Sequence, residues 1–348
     1  MDLIQAVRDR DLKGMRAAIK NDTKAAKNPR AMVTAGSHAF IEGLALLQKH
    51  GGDLNAQWRG YRPLHNLLQE HPHSEANVAP ERLACLEWLL SNGADPELTG
   101  AWPPARAIIV AAFMGVPDFV KRLRAGGAKV DFFAHAALGD SRKLGESLRK
   151  HPAPARARDT GGLTALQCAA GSRMPKAAVC ECARMLLDAG AEVNAKTKSW
   201  SEEIDALYLA AGTNNRAVFE LLLDRGADPN AGLAHAAWKG AYALAQLALD
   251  RGAKPDRAIA GGQPLLNNLI RWGQFKPALW LLERGASPNI PDARGWTAMH
   301  QAASRGNLKM LRTLIEAGGD RHRRDERGNL PYEAATRENI AALLKNAK

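Results

Sequence analysis

Three cysteines, Cys168, Cys180 and Cys182, and three histidines, His65, His71 and His73, lie close together in the chain. These side chains bind zinc and related metals or carry redox chemistry, provided their spacing lets them converge. Cys180-Glu181-Cys182 lacks the two-residue spacer of zinc knuckles. On one helix, residues i and i+2 point apart. Cys182 falls where a helical ridge takes a small apolar residue, so it is expected in the core. His71 and His73 flank Pro72 without an obvious acidic or thiol third ligand. No phosphate loop, nucleophile elbow or H-E-x-x-H helix occurs, and Gly161-Gly162 and Gly261-Gly262 read as turn glycines. The expectation is no metal, no cofactor and no enzyme activity.

The elements that position these residues follow from a repeat. An apolar helical run, two polar residues, a glycine and then Ala-Asp or a variant recur along the chain, as in Leu89-Leu90-Ser91-Asn92-Gly93-Ala94-Asp95 and Leu222-Leu223-Asp224-Arg225-Gly226-Ala227-Asp228. The glycines are 51, 93, 127, 190, 226, 252, 285 and 318, with successive steps of 42, 34, 63, 36, 26, 33 and 33. The 63-residue step must hide a further unit, its worn turn at His151-Pro152-Ala153-Pro154. Glycine after the ridge takes the left-handed conformation that ends a helix, and Asn or Asp favours the turn that follows.

Each unit also opens in a set way. Gly295-Trp296-Thr297-Ala298-Met299-His300-Gln301-Ala302-Ala303 is echoed in Arg62-Pro63-Leu64-His65, Thr164-Ala165-Leu166-Gln167 and Leu207-Tyr208-Leu209-Ala210-Ala211. This opening resembles the turn, Thr-Pro-Leu-His and Ala-Ala signature of ankyrin-repeat proteins, and the resemblance covers essentially the whole chain. It implies an all-α ankyrin solenoid of helix-turn-helix units with short β-hairpin fingers. The expectation is one solenoid over residues 1–348, about 11 units, with caps at about 1–27 and 326–348. It also implies a structural hydrogen bond from His65 and His300 to turn backbone. The units opening near Phe132 and Leu233 are clipped and are expected to lack their fingers. Two others are enlarged, by the loop Glu70–Pro80 and by a smaller insertion at Gly171–Lys176.

In this family the fingers and first helices form the concave recognition face, which directs attention to the aromatics. There are eight Trp against four Tyr, and several lie off the helix ridges. Trp58, Tyr61, Trp102, Trp200 and Trp296 fall in finger segments, while Phe113, Trp238 and Trp272 follow the small residues that end the first helix. Exposed aromatics anchor interfaces. These eight, with Arg271 and Arg305 at the rim, are the candidate partner-binding residues. Trp238 and Trp272 are expected as neighbours on a groove that the missing finger leaves open, with Trp296 on its far side.

Composition sets the remaining bounds. With 46% hydrophobic and 24% charged residues the chain folds, and no apolar run approaches the roughly 20 residues that span a bilayer. Charges in Met1–Asp9 argue against a secretory signal, and four cysteines suit a reducing interior, so a cytoplasmic monomer is expected. The net charge of +12 is blocky: 11 basic against 6 acidic residues in 132–198, and 14 against 8 in 260–348. The expected function is non-catalytic scaffolding of another protein, an acidic one, along the concave face. The alternative is binding of nucleic acid or another polyanion through 132–198 and 260–348, with Arg321, Arg323, Arg324 and Arg327 as its contacts. A polar cap has a direct test. Deleting residues 326–348 should expose the Leu311, Leu314 and Ile315 ridge and cause aggregation in light scattering; an unchanged monomer with an unchanged Tm would disprove the cap.

Overall fold

The computed structural model describes residues 2–69, 78–150, 153–199, 202–259 and 262–346. Among the described residues, ten pairs of antiparallel α-helices are followed by a 3-10 turn and a last helix. The chain divides into two compact units, Met1–Arg225 and Gly226–Lys348.

In the first unit the pairs are α1 (Leu3–Arg8) and α2 (Leu12–Asn21), α3 (Pro29–Ser37) and α4 (Ile41–Lys49), α5 (Pro63–Gln69) and α6 (Pro80–Ser91). They continue with α7 (Ala107–Met114) and α8 (Pro117–Ala125), α9 (Phe132–Leu138) and α10 (Ser141–Lys150). The last two are α11 (Ala165–Ala170) with α12 (Lys176–Asp188), and α13 (Ala206–Thr213) with α14 (Arg216–Asp224). The odd-numbered first helices stack on one another in order from α1 to α13. Small residues make this possible: Ala111, Ala136, Ala169 and Ala210 are fully buried, and short side chains let the helices approach. In the second unit α15 (Pro229–Trp238) packs on α16 (Tyr242–Asp250), α17 (Leu265–Arg271) on α18 (Phe275–Leu282), and α19 (Ala298–Arg305) on α20 (Leu308–Glu316). The turn Pro331–Ala334 and α21 (Glu338–Asn346) follow, and the turn packs on α19.

All eight glycines of the repeat have positive φ, between +80° and +101°. The next N–H then reaches back to the ridge, as Ala94 to the Leu89 carbonyl and Ala286 to that of Leu281. The hidden unit is α9 and α10; residues 151 and 152 of its turn lie outside the described residues. Fingers form where the sequence leaves room. β1 (Thr99–Gly100) pairs antiparallel with β2 (Ala105–Arg106), and β3 (Thr197–Ser199) with β4 (Glu202–Ile204). The two clipped units have none: Asp131 caps α9 directly and Asp228 caps α15.

The third residue of the first helix joins one repeat to the next. Gln167 completes a capping box with Thr164, and its amide nitrogen donates to the Ala195 and Ile204 carbonyls, each at 3.0 Å. Asn267 donates to the carbonyls of Ile290 (3.0 Å) and Trp296 (2.9 Å) from the same place. At His300 the Thr297 N–H donates to Nδ1 (3.2 Å), which leaves the proton on Nε2, 3.3 Å from the Asn329 carbonyl. His65 is fully buried, packed so closely on the finger that a Cβ on Gly100 would stand 2.8 Å from its ring. Burial, with Arg62 nearby, brings its pKa down to about 4 against the opposing pull of the Ala105 and Leu98 carbonyls. Burial lowers His300 as well, and burial with Lys239 brings His235 to about 3.

These imidazoles are neutral in the fold, so protonation favours the unfolded chain. Their contribution is complete above about pH 6.5, the unfolded value, and is lost as pH falls toward 4 for His65 and toward 3 for His235. Tm should drop over that window, and the double variant His65→Gln with His300→Gln, which copies the side chain of Gln167, should reduce the drop to the share of His235. His300→Ala should cost about 1–3 kcal/mol by orphaning its backbone partners, read from urea unfolding at pH 7.

Candidate functional site

The expected binding residues differ in burial and in what holds them. Phe113 is buried, its ring so close that a Cβ on Gly171 would meet it at 2.9 Å, so its place in the candidate set is corrected to inter-repeat packing. Trp296 is likewise held from several directions. Its Nε1 donates to Asp325 Oδ2 (3.1 Å), its ring stacks on His300, and the Arg294 guanidinium lies 4.4 Å from its centre. These contacts fix its ring, which stays half-buried. Trp102 is half-buried and meets Tyr208 edge-on at 6.1 Å, while Gln69 donates to its carbonyl. Trp58 and Tyr61, both half-buried, close their finger by a mutual backbone bridge, and Trp58 has the Arg30 and Arg59 guanidinium groups at 5.2 and 4.9 Å. Trp200, His71 and His73 lie outside the described residues.

What remains is at the C-terminal ends of two first helices in the Gly226–Lys348 unit. Trp272 caps α17 and is 60% exposed, with the Arg271 guanidinium 5.9 Å from its ring. Arg305, at the end of α19, donates through Nε to the Arg271 carbonyl at 2.6 Å. The three residues therefore come together. Trp238 ends α15 and is half-buried.

The Arg305 bond belongs to a pattern that sequence reasoning missed. Helix ends leave carbonyls without intrahelical partners and carry partial negative charge, which cations satisfy. Arg82 donates to the Ser37 and Leu67 carbonyls, Arg10 to that of His38, Arg173 to Gly212 and Lys176 to Asn214. Finger tips use a related bond: Arg158 donates to the Gly162 carbonyl (2.7 Å) and Arg324 to that of Gly328 (2.6 Å). Among the four arginines of the polyanion reading, Arg324 is thus committed to its own turn, and Arg321 Nε points at His322 Nε2 (3.3 Å). Arg323 and Arg327 are exposed, while Asp325 between them is buried and bonded to the turn.

A second omission is Arg106, 5% exposed, which bridges Glu97 (3.0 Å) and Asp131 (2.6 Å). It ties the β1–β2 finger to the cap of fingerless α9. An arginine just before a helix, where Thr or Asp usually stands, was the available signal.

Two sequence-family models match, described as ankyrin repeats (3 copies) over residues 76–232 and ankyrin repeats (many copies) over 269–315. The chain is an ankyrin-repeat protein. Among solved structures it is similar to the human ASB11 ankyrin repeat domain, at 20% identity and a TM-score of 0.49, over 62% of this chain and 97% of that one. No curated protein matches. Ankyrin repeats generally mediate protein–protein interaction, and their fold is typically non-catalytic.

All four cysteines are free and buried, and burial pushes the Cys85 and Cys182 thiols up to about 12 and Cys168 well up. Burial thus disfavours the nucleophilic thiolate at Cys85, Cys168 and Cys182. Among the described residues no group of three or more His, Cys, Asp or Glu converges on a metal position, and no helix is long and apolar enough to cross a membrane. The two tryptophan environments separate experimentally. Trp296→Ala should cost about 3 kcal/mol through lost packing, whereas Trp272→Ala should leave Tm unchanged in calorimetry.

Proposed function

We propose that this chain is a non-catalytic protein–protein interaction scaffold and that Trp272, Arg271 and Arg305 anchor its partner. The supporting observation is the exposure of Trp272, because every other described tryptophan is half-buried or buried. A large ring left in water beside arginines is the composition that carries binding energy at interfaces. Lys239, Trp272 and Arg305 also recur at 33-residue spacing, the same place in three successive repeats. The Arg305 bond to the Arg271 carbonyl brings the cation of the following repeat to this edge. The unit has 18 basic against 11 acidic residues, which suits an acidic partner. Trp238, half-buried, ends α15 and precedes Lys239 in the chain. The four free thiols accord with a cytoplasmic setting, and the scaffold acts as a monomer.

The nucleic-acid reading draws on basic segments whose Arg158, Arg173, Arg305 and Arg324 all donate to backbone carbonyls. It is not adopted. Affinity capture from native lysate, with nuclease present, should retain a protein partner on the parent chain. Trp272→Ala should weaken that retention by about thirtyfold, the equivalent of roughly 2.0 kcal/mol, and Trp58→Ala should not. Duplex and single-stranded probes at about 50 mM salt should show no gel shift. Capture lost to nuclease, or indifferent to Trp272→Ala, would overturn the proposal.

A further inference from the structure

The insertion at Gly171–Lys176, between α11 and α12, is built into the framework. Ser172 is 1% exposed, and its hydroxyl donates to the Ala137 carbonyl at the end of α9 (2.6 Å). The Met174 N–H donates back to that hydroxyl at 3.1 Å. The Arg173 N–H donates to the Ala112 carbonyl of α7 (3.0 Å), and its guanidinium to the Gly212 carbonyl of α13 (3.0 Å). Two consecutive residues therefore tie the last turns of three first helices. Gly115, at φ +73° after α7, admits Arg173 so closely that a Cβ there would lie 2.7 Å from the Arg173 Cβ.

Held at this junction, Met174 walls an open cleft of about 320 Å³. The rest of its lining is one face of α8: Pro117, Val120, Lys121 and Arg124, spaced i, i+3, i+4 and i+7. The interior is apolar and the flanking charge is cationic. Neither Lys121 nor Arg124 has an ion-pair partner among the described residues, whereas Arg122 is paired with Glu87 at 2.8 Å. The acidic residue on α8 itself is Asp118, in its first turn.

We propose that this cleft is a separate docking surface that seats one aliphatic side chain from an acidic segment of a partner protein. The cleft is at the small end of ligand sites and open to solvent, so a single side chain fits it better than an enclosed small molecule. Lys121 and Arg124 meet the carboxylates that flank that side chain, and they repel a basic segment. The walls are fixed by helix α8 and by the bonded insertion, so little ordering opposes binding. This site stands in the Met1–Arg225 unit and does not depend on Trp272.

The test uses the full chain and a short fluorescein-labelled peptide of glutamates with one central leucine, followed by fluorescence polarisation. Binding should weaken about tenfold in Lys121→Glu with Arg124→Glu, and about fivefold in Met174→Ser or when the peptide leucine becomes alanine. Both lysine and arginine are exposed, so the double variant should keep the parent circular dichroism and Tm; Lys121→Ala with Arg124→Ala gives a milder second reading of the same charge. Trp272→Ala should leave this binding unchanged, which separates it from the edge proposed above. No binding at about 1 mM peptide would overturn the inference. So would equal binding of the alanine peptide, indifference to charge reversal, or loss with Trp272→Ala.

Discussion

The Gln167 amide, bonded to the Ala195 and Ile204 carbonyls, sets where the next finger stands. Its oxygen simultaneously accepts from the Thr164 N–H (2.8 Å) and the Thr197 hydroxyl (2.8 Å), so one buried side chain satisfies both its own helix start and its neighbour's hairpin. Each such bond is worth about 1 kcal/mol net, but an orphaned partner in this dry position costs more. The side chain can be Gln, Asn or His because each offers a donor at similar reach. Where α9 lacks a finger, the Arg106 ion triad with Glu97 and Asp131 takes over the linking role. The stack is thus specified by polar bonds between repeats, with the alanine-lined contact supplying the apolar drive.

How much of this was legible depends on how local the constraint is. The turn glycines could be read from sequence because positive φ is a property of one residue, and all eight conform. The missing fingers could be read because chain length cannot be hidden. Aromatic exposure could not. Trp296 and Trp272 are both single tryptophans near a repeat turn, yet one is bonded to Asp325, 29 positions away, and the other meets solvent. That difference belongs to the neighbour rather than to the residue. Phe113 was misread for the same reason, since Gly171, which leaves room for its ring, lies 58 positions on.

The basic excess has a similar history. As composition it pointed to an anionic partner, but many of the cations complete backbone carbonyls at helix ends and finger tips. Such bonds leave the formal charge in place while fixing where each guanidinium points. The field that a partner meets is therefore a set of aimed groups on a rigid frame. Arg305 illustrates the point: pinned to the Arg271 carbonyl, it holds its charge beside Trp272 at little further entropic cost.

The four cysteines give the molecule a built-in clock. Cys85 belongs to α6, Cys168 to α11, and Cys180 and Cys182 to α12, all within Met1–Arg225 and all buried. The Gly226–Lys348 unit has no thiol at all. Alkylation of Cys85, Cys168 and Cys182, each fully buried with its thiol pKa pushed up, proceeds only when a repeat opens. The modification rate of native protein therefore times the opening of repeats in the Met1–Arg225 unit alone, without introducing a label.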